Sequence, residues 1–145
     1  MSKIENFLSA LEEEEIIEAI RMAELNTSGE IRVHIEKSSK GNLYQRSLEV
    51  FHALKMDNTK AQNGVLIYVA VEDRTFTIYG DTGINRVVPK DFWNNTKDTI
   101  QSHFKTGDFC RGLVQGILMA GKELKNHFPY ASDDKNELPN EISKS

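Results

Sequence analysis

Seven consecutive apolar residues, Val65 to Val71, constrain this chain more than any other stretch. The run is far too short to cross a membrane and is bounded by Asn63-Gly64 and by the polar triplet Glu72-Asp73-Arg74. It suits a central strand covered on both faces. Thr75 to Tyr79 then resumes with β-branched and aromatic residues, so the triplet reads as the reversal of a hairpin. Gly80-Asp81-Thr82-Gly83-Ile84-Asn85 follows as a polar glycine loop, the most chemically suggestive in the chain.

Upstream, Glu30 to Lys37 alternates strictly, with Ile31, Val33 and Ile35 on one face and Glu30, Arg32, His34 and Glu36 on the other. This pattern predicts a strand with one apolar face, nearer a sheet edge than the Val65 strand. Ser38 to Asn42 is a loop, and Leu43 to Met56 returns to helical spacing. Strand, helix and strand make a βαβ unit with parallel strands, to which the hairpin adds a third, antiparallel strand. The fold class is α/β with a small mixed sheet.

Ile4, Phe7, Leu8, Leu11, Ile16, Ile17 and Ile20 predict a first helix from Lys3 to Leu25, with a break at Glu12 to Glu15. Those four glutamates point about 100° apart from one to the next and make a solvated face rather than a ligand cluster. Two further helices are predicted, Phe92 to Phe104 and Phe109 to His127. Gly112 and Gly116, one turn apart in the last helix, suit close packing against a neighbour. Pro129 stops that helix, so residues 1–129 form one domain and the polar stretch 130–145 is expected to be a disordered tail.

The 18 basic and 22 acidic side chains leave a net charge of −4, unlike the basic footprint of a nucleic-acid binder. With no signal-like or membrane-spanning segment in the chain, a soluble cytoplasmic protein is expected. The single Cys110 has no internal disulfide partner.

Strand directions bring the starts of the two parallel strands, Gly29-Glu30 and Asn63-Gly64, to the same sheet edge as Gly80-Asp81. Glu30, Asp81 and Asp91 converge there in this reading, with Asn63 and Asn85 as neutral oxygen donors and Asp108 as a weaker candidate. Such an all-oxygen set suits Ca2+ or Mg2+. The competing reading makes Asp91 and Asp108 helix caps and Asp81 a turn residue. The opposite edge, with Ser38, Ser39, Glu72, Asp73 and Arg74, is the other place where a ligand is expected in an open α/β sheet. His34 reads as a packed or ion-paired strand residue, and the four histidines form no ligand-spaced pair. Neither a GxSxG elbow nor a Walker loop is present, and Cys110-Arg111 lacks the spacing of a cysteine phosphatase loop.

Thr27-Ser28-Gly29-Glu30-Ile31-Arg32-Val33, Asn63 to Val69, Ile78 to Ile84, Asp91-Phe92-Trp93, and Phe104 to Phe109 with Gly112 occur in the order seen in TPM domains. Over residues 5 to 128 the chain resembles that family, as a stand-alone soluble member of bacterial type. The resemblance implies an αβα sandwich with helices on both faces of the sheet and acidic loop residues that bind Ca2+ or a related ion. It also implies an accessory role in assembly, repair or quality control, with acid phosphatase activity attributed to some plant members. Many members carry a glutamate where Asn85 stands, which implies weaker metal binding here. A divalent-cation-binding accessory domain is therefore expected, with a metal-dependent acid-phosphatase-like hydrolase and a metal-free protein-interaction domain as alternatives; no particular protein partner is implied.

Overall fold

The strand after Gly29 lies inside the sheet, although its alternating sequence suggests an edge. A computed structural model describes residues 7–59, 61–129 and 142–144. In chain order the elements are α1 (Ala10–Glu24), β1 (Glu30–Glu36), α2 (Leu43–Ala53), β2 (Gly64–Ala70), β3 (Thr75–Gly80), α3 (Thr82–Asn85), α4 (Asn94–Lys105), α5 (Phe109–His127) and β4 (Ile142–Lys144). The sheet order is β3-β2-β1-β4. β1 runs parallel to both neighbours, and β3 is antiparallel to β2. The mixed α/β sheet is as expected.

β4 is why β1 is not an edge strand. Ile142, Ser143 and Lys144 pair with Val33, His34 and Ile35, so part of the expected disordered tail is ordered. Residues 130–141 and 145 lie outside the described residues. Lys144 Nζ forms an ion pair with Glu13, and Ser143 Oγ meets His34 Nδ1 at 3.0 Å. A three-residue strand carries little signal in sequence, and its partners here are side chains more than a hundred positions away.

Alternation along the strands divides the sheet into two faces. Ile31, Val33, Ile35, Val65, Ile67, Val69 and Ile78 pack with α1, α4 and α5 in the larger core. Leu66, Tyr68 and Ala70 face the other way and pack with Val50, Phe51 and Met56 under α2. The charged row of β1 falls on this second face, where Glu30, Arg32, His34 and Glu36 are all buried.

Helix boundaries follow capping chemistry. Ser9 Oγ accepts from the Glu12 amide while Glu12 Oε1 accepts from the Ser9 amide, at 3.1 and 2.9 Å. This capping box starts α1 at the acidic run, so the expected break at Glu12 to Glu15 is instead the helix beginning. Residues 1–6, where that longer helix was expected to begin, lie outside the described residues. Asp108 Oδ1 caps α5 through the Arg111 amide at 3.3 Å. α4 begins at Asn94 with Trp93 in the cap position and no side-chain cap, so Asp91 is not a helix cap. The glycine loop after β3 contains a single helical turn, Thr82–Asn85, capped by Asp81.

The α-helical layer is held close by missing side chains. A Cβ on Gly116 would stand 2.6 Å from Ile100 of α4, as the helical glycine pair suggested. One on Gly121 would stand 2.6 Å from the Ala23 Cβ and 2.9 Å from its carbonyl oxygen, which brings α1 against α5.

Candidate functional site

The starts of β1 and β2 and the end of β3 share one sheet edge, as strand directions require. Glu30 pairs with Gly64, and the Asp81 amide donates to the Gly64 carbonyl at 3.0 Å. Glu30, Gly64 and Asp81 therefore form one row across three strands, with their side-chain positions on the same face. Glu30 is 2 % exposed and Asp81 5 %. Gly64 leaves a gap in the row, and the Met56 carbonyl oxygen lies 3.0 Å from where its Cβ would be.

Asp81 divides its oxygens between two environments. Oδ1 accepts from the Thr82 amide at 2.7 Å. Oδ2 is buried and accepts no hydrogen bond among the described residues. Leaving such an oxygen unsatisfied costs about 1–3 kcal/mol, which a bound cation would offset. The neighbouring positions of the row, the Glu30 carboxylate and the Met56 carbonyl beside Gly64, carry hard oxygen atoms of the kind a divalent ion takes.

The other expected ligands have different roles. Asn63 is buried at the same edge, its carbonyl accepting from the Glu30 amide at 3.3 Å and its Nδ2 donating to Ser28 Oγ at 3.2 Å. Asn85 is exposed and donates through Nδ2 to the Gly80 carbonyl at 3.2 Å, fixing the loop. Asp91 is exposed in a turn, and Asp108 caps α5 and pairs with Arg111 at 3.4 Å. Asp108 stands next to Gly107 and Phe109, which line a groove at the opposite end of the sheet with Val71 and Thr75. Among the described residues no three His, Cys, Asp or Glu side chains gather into a group able to hold an ion. The structure thus aligns Glu30 and Asp81 and leaves Asp91 outside any such group.

Glu24, which sequence reasoning did not single out, sits beside this row. Its Oε2 accepts from the Ile31 amide at 2.8 Å, just before β4 begins to cover β1. Burial lifts its carboxyl to about 7; the Ile31 hydrogen bond opposes the rise and the Glu30 charge adds to it.

At the other end of the same face is a second polar constellation. Arg46 of α2 donates through Nε and Nη2 to the two oxygens of Glu36, at 2.6 and 2.8 Å. The Tyr68 hydroxyl donates to the same carboxylate, and His34 Nε2 lies 3.3 Å from Glu36 Oε1. The His34 ring stacks beside that of Tyr68 at 5.9 Å. Burial holds the His34 pKa below its ordinary value despite the Glu36 contact, so the ring is neutral at neutral pH. The phenol in an otherwise apolar strand was the available sequence signal, because a buried Tyr hydroxyl needs a partner.

The Ser38 and Asp73 edge is occupied by its own hydrogen bonds. Asp73 accepts from Ser38 Oγ at 2.9 Å and from the Ser39 amide at 2.8 Å, and the backbone bond above all lowers its pKa. Burial first, then the Glu15 carboxylate, push the Cys110 thiol up to about 12, the opposite of the lowered pKa that marks a reactive cysteine. His52 meets Asp57 and His103 meets Gln115, well apart in sequence from the His34 network.

The family model described as the TPM domain matches residues 2–123. No curated protein matches the chain. Among solved structures, the BA42 protein of the psychrophilic bacterium Bizionia argentinensis is 63% identical over 100% of both chains, with a TM-score of 0.93. The N-terminal domain of a P. gingivalis protein shares the fold at 22% identity, covering 84% of this chain and 79% of that one, with a TM-score of 0.69. That of the cg2496 protein of Corynebacterium glutamicum does so at 14% identity, covering 91% and 80%, with a TM-score of 0.60. The strand openings, the Gly80 to Ile84 loop and the acidic row all fall inside the matched residues, and the chain belongs to the TPM domain family.

Proposed function

We propose that this TPM domain binds a divalent cation, Ca2+ or Mg2+, at the edge where Glu30, Gly64 and Asp81 line up, and serves as an accessory in assembly, repair or quality control. The observation that carries this reading is the buried Asp81 Oδ2, which accepts no hydrogen bond among the described residues. Glu30 and Asp81 are the principal ligands, with backbone carbonyls and water completing the shell. Asn63 and Asn85 hold the surrounding backbone, and Asp91 reaches the ion through water or not at all.

Thermal unfolding with and without Ca2+ or Mg2+ tests the reading, because a ligand that binds the folded state raises its midpoint. The wild type gains stability with the ion, whereas Asp81→Asn does not. Asparagine caps a helix as well as aspartate does, so the variant keeps its turn. Equal gains in the two proteins would move the site elsewhere.

A metal-assisted phosphatase is the second reading, suggested by the word phosphatase in the name of the matching family model. In it the ion would polarise a phosphoryl oxygen and activate water. Hydrolysis of p-nitrophenyl phosphate that requires the ion and is lost in Asp81→Asn would favour the enzyme; hydrolysis that survives the substitution would not.

A further inference from the structure

β3 has β2 on one side and, among the described residues, no strand on the other. The Asp81–Gly64 hydrogen bond sets the alternation, so Thr75, Thr77 and Tyr79 exchange bonds with β2. Phe76 and Ile78 therefore turn their amide and carbonyl groups outward, toward the uncovered edge.

Beside that edge runs an open groove of about 970 Å3 between β3 and α4. Its floor is a phenylalanine cluster: Phe104 lies 5.3 Å from Phe76, 5.3 Å from Phe109 and 6.3 Å from Phe7, ring centre to ring centre. The charged residues that line it, Arg74, Lys97 and Lys105, are all basic. None of the three forms an ion pair among the described residues. On a chain of net charge −4 this concentration of positive charge is a local reversal of sign.

We propose that the β3 edge and this groove form a docking site for an extended acidic peptide segment of a partner protein, added to the sheet as a further strand. The outward backbone groups of Phe76 and Ile78 supply hydrogen bonds, the phenylalanines take an apolar side chain, and the three basic residues select carboxylates. Single-stranded nucleic acid also suits aromatic and basic residues, but it makes no use of an open strand edge, and the acidic chain repels a polyanion beyond the groove. The site is separate from the Asp81 row and stands whether or not a cation binds there.

The probe is a blocked heptapeptide alternating glutamate and valine, titrated into the labelled full chain while backbone amide shifts are followed. Saturable shifts confined to Arg74 to Ile78 and Lys97 to Phe109 are expected. The Lys97→Glu, Lys105→Glu double variant should weaken binding on the order of tenfold or more, and added salt should weaken it too. Absence of saturable shifts overturns the proposal, as does equal binding by a blocked heptapeptide alternating lysine and valine. Undiminished binding by a peptide N-methylated at alternate amides removes strand addition, and tighter binding by an oligothymidine of similar length reassigns the groove to nucleic acid.

Discussion

Arg46 reaches across from α2 and holds both carboxylate oxygens of Glu36, at 2.6 and 2.8 Å, where β1 would otherwise bury a charge. The pair shows how an alternating, half-charged strand tolerates an interior position. Glu36 also receives the Tyr68 hydroxyl and faces His34, so its buried charge is distributed over partners from three elements.

Arg46→Met removes the cation and leaves the buried carboxylate to its remaining neighbours. The guanidinium side chain is 39% exposed, so water reaches part of the gap. The expected loss is about 2 kcal/mol, less than for a fully buried pair. Urea unfolding measures it; a loss below about 0.5 kcal/mol would mean that Tyr68 and His34 suffice to hold Glu36.

Two glycines of α5 differ in what opposes a methyl group. At Gly116 the obstacle is the flexible end of Ile100, whereas at Gly121 it includes the Ala23 Cα and carbonyl. Gly121→Ala should therefore destabilise by about 2–3 kcal/mol and Gly116→Ala by distinctly less. The reverse order in thermal unfolding would mean that α1 slides along α5 more easily than Ile100 changes rotamer.

Glu24 makes stability depend on pH. Its folded-state pKa of about 7 stands above the ordinary 4.5, so the folded chain keeps a proton that the unfolded chain has lost. The resulting stabilisation is fully present below about 4.5 and is lost as pH rises through about 7. His34, with its lowered pKa, works in the opposite sense: its contribution is present above the ordinary 6.5 and is lost as pH falls. Comparing wild type with Glu24→Gln in the presence of a chelator cancels the His34 part. The wild type should lose on the order of 2 kcal/mol more than the variant between pH 4.5 and 8. Parallel profiles would mean that the Glu24 carboxyl is solvated.

Much of the architecture is legible in sequence because it rests on local pattern. The apolar run from Val65 to Ala70 lies in β2, Val71 and the polar triplet form the β2–β3 turn, and the strand directions place Glu30 and Asp81 at one edge. What was not legible depends on distant partners. Alternation in β1 marks two chemically different faces but cannot say that Arg46 of α2 reaches the charged one or that β4 pairs along the strand's other side. Ser9 and Glu12, three residues apart at the start of the glutamate run, carry the signature of a capping box. Asp91 looked like a cap or a ligand from its place before a helix, but a turn carries the chain on to Trp93 before the helix begins. Glu24 gave no signal at all, since its role comes from the Ile31 amide it meets after the chain reverses.

The most direct test of the proposed cation site is a Ca2+ and Mg2+ titration of metal-stripped protein, with backbone amide shifts followed in wild type and Asp81→Asn. Saturable shifts at Glu30, Asn63, Gly64 and Asp81, weakened on the order of tenfold or more by the substitution, are the predicted result. Saturation at Ser38, Ser39 and Asp73, unchanged affinity in Asp81→Asn, or no saturable shift in the wild type would contradict it.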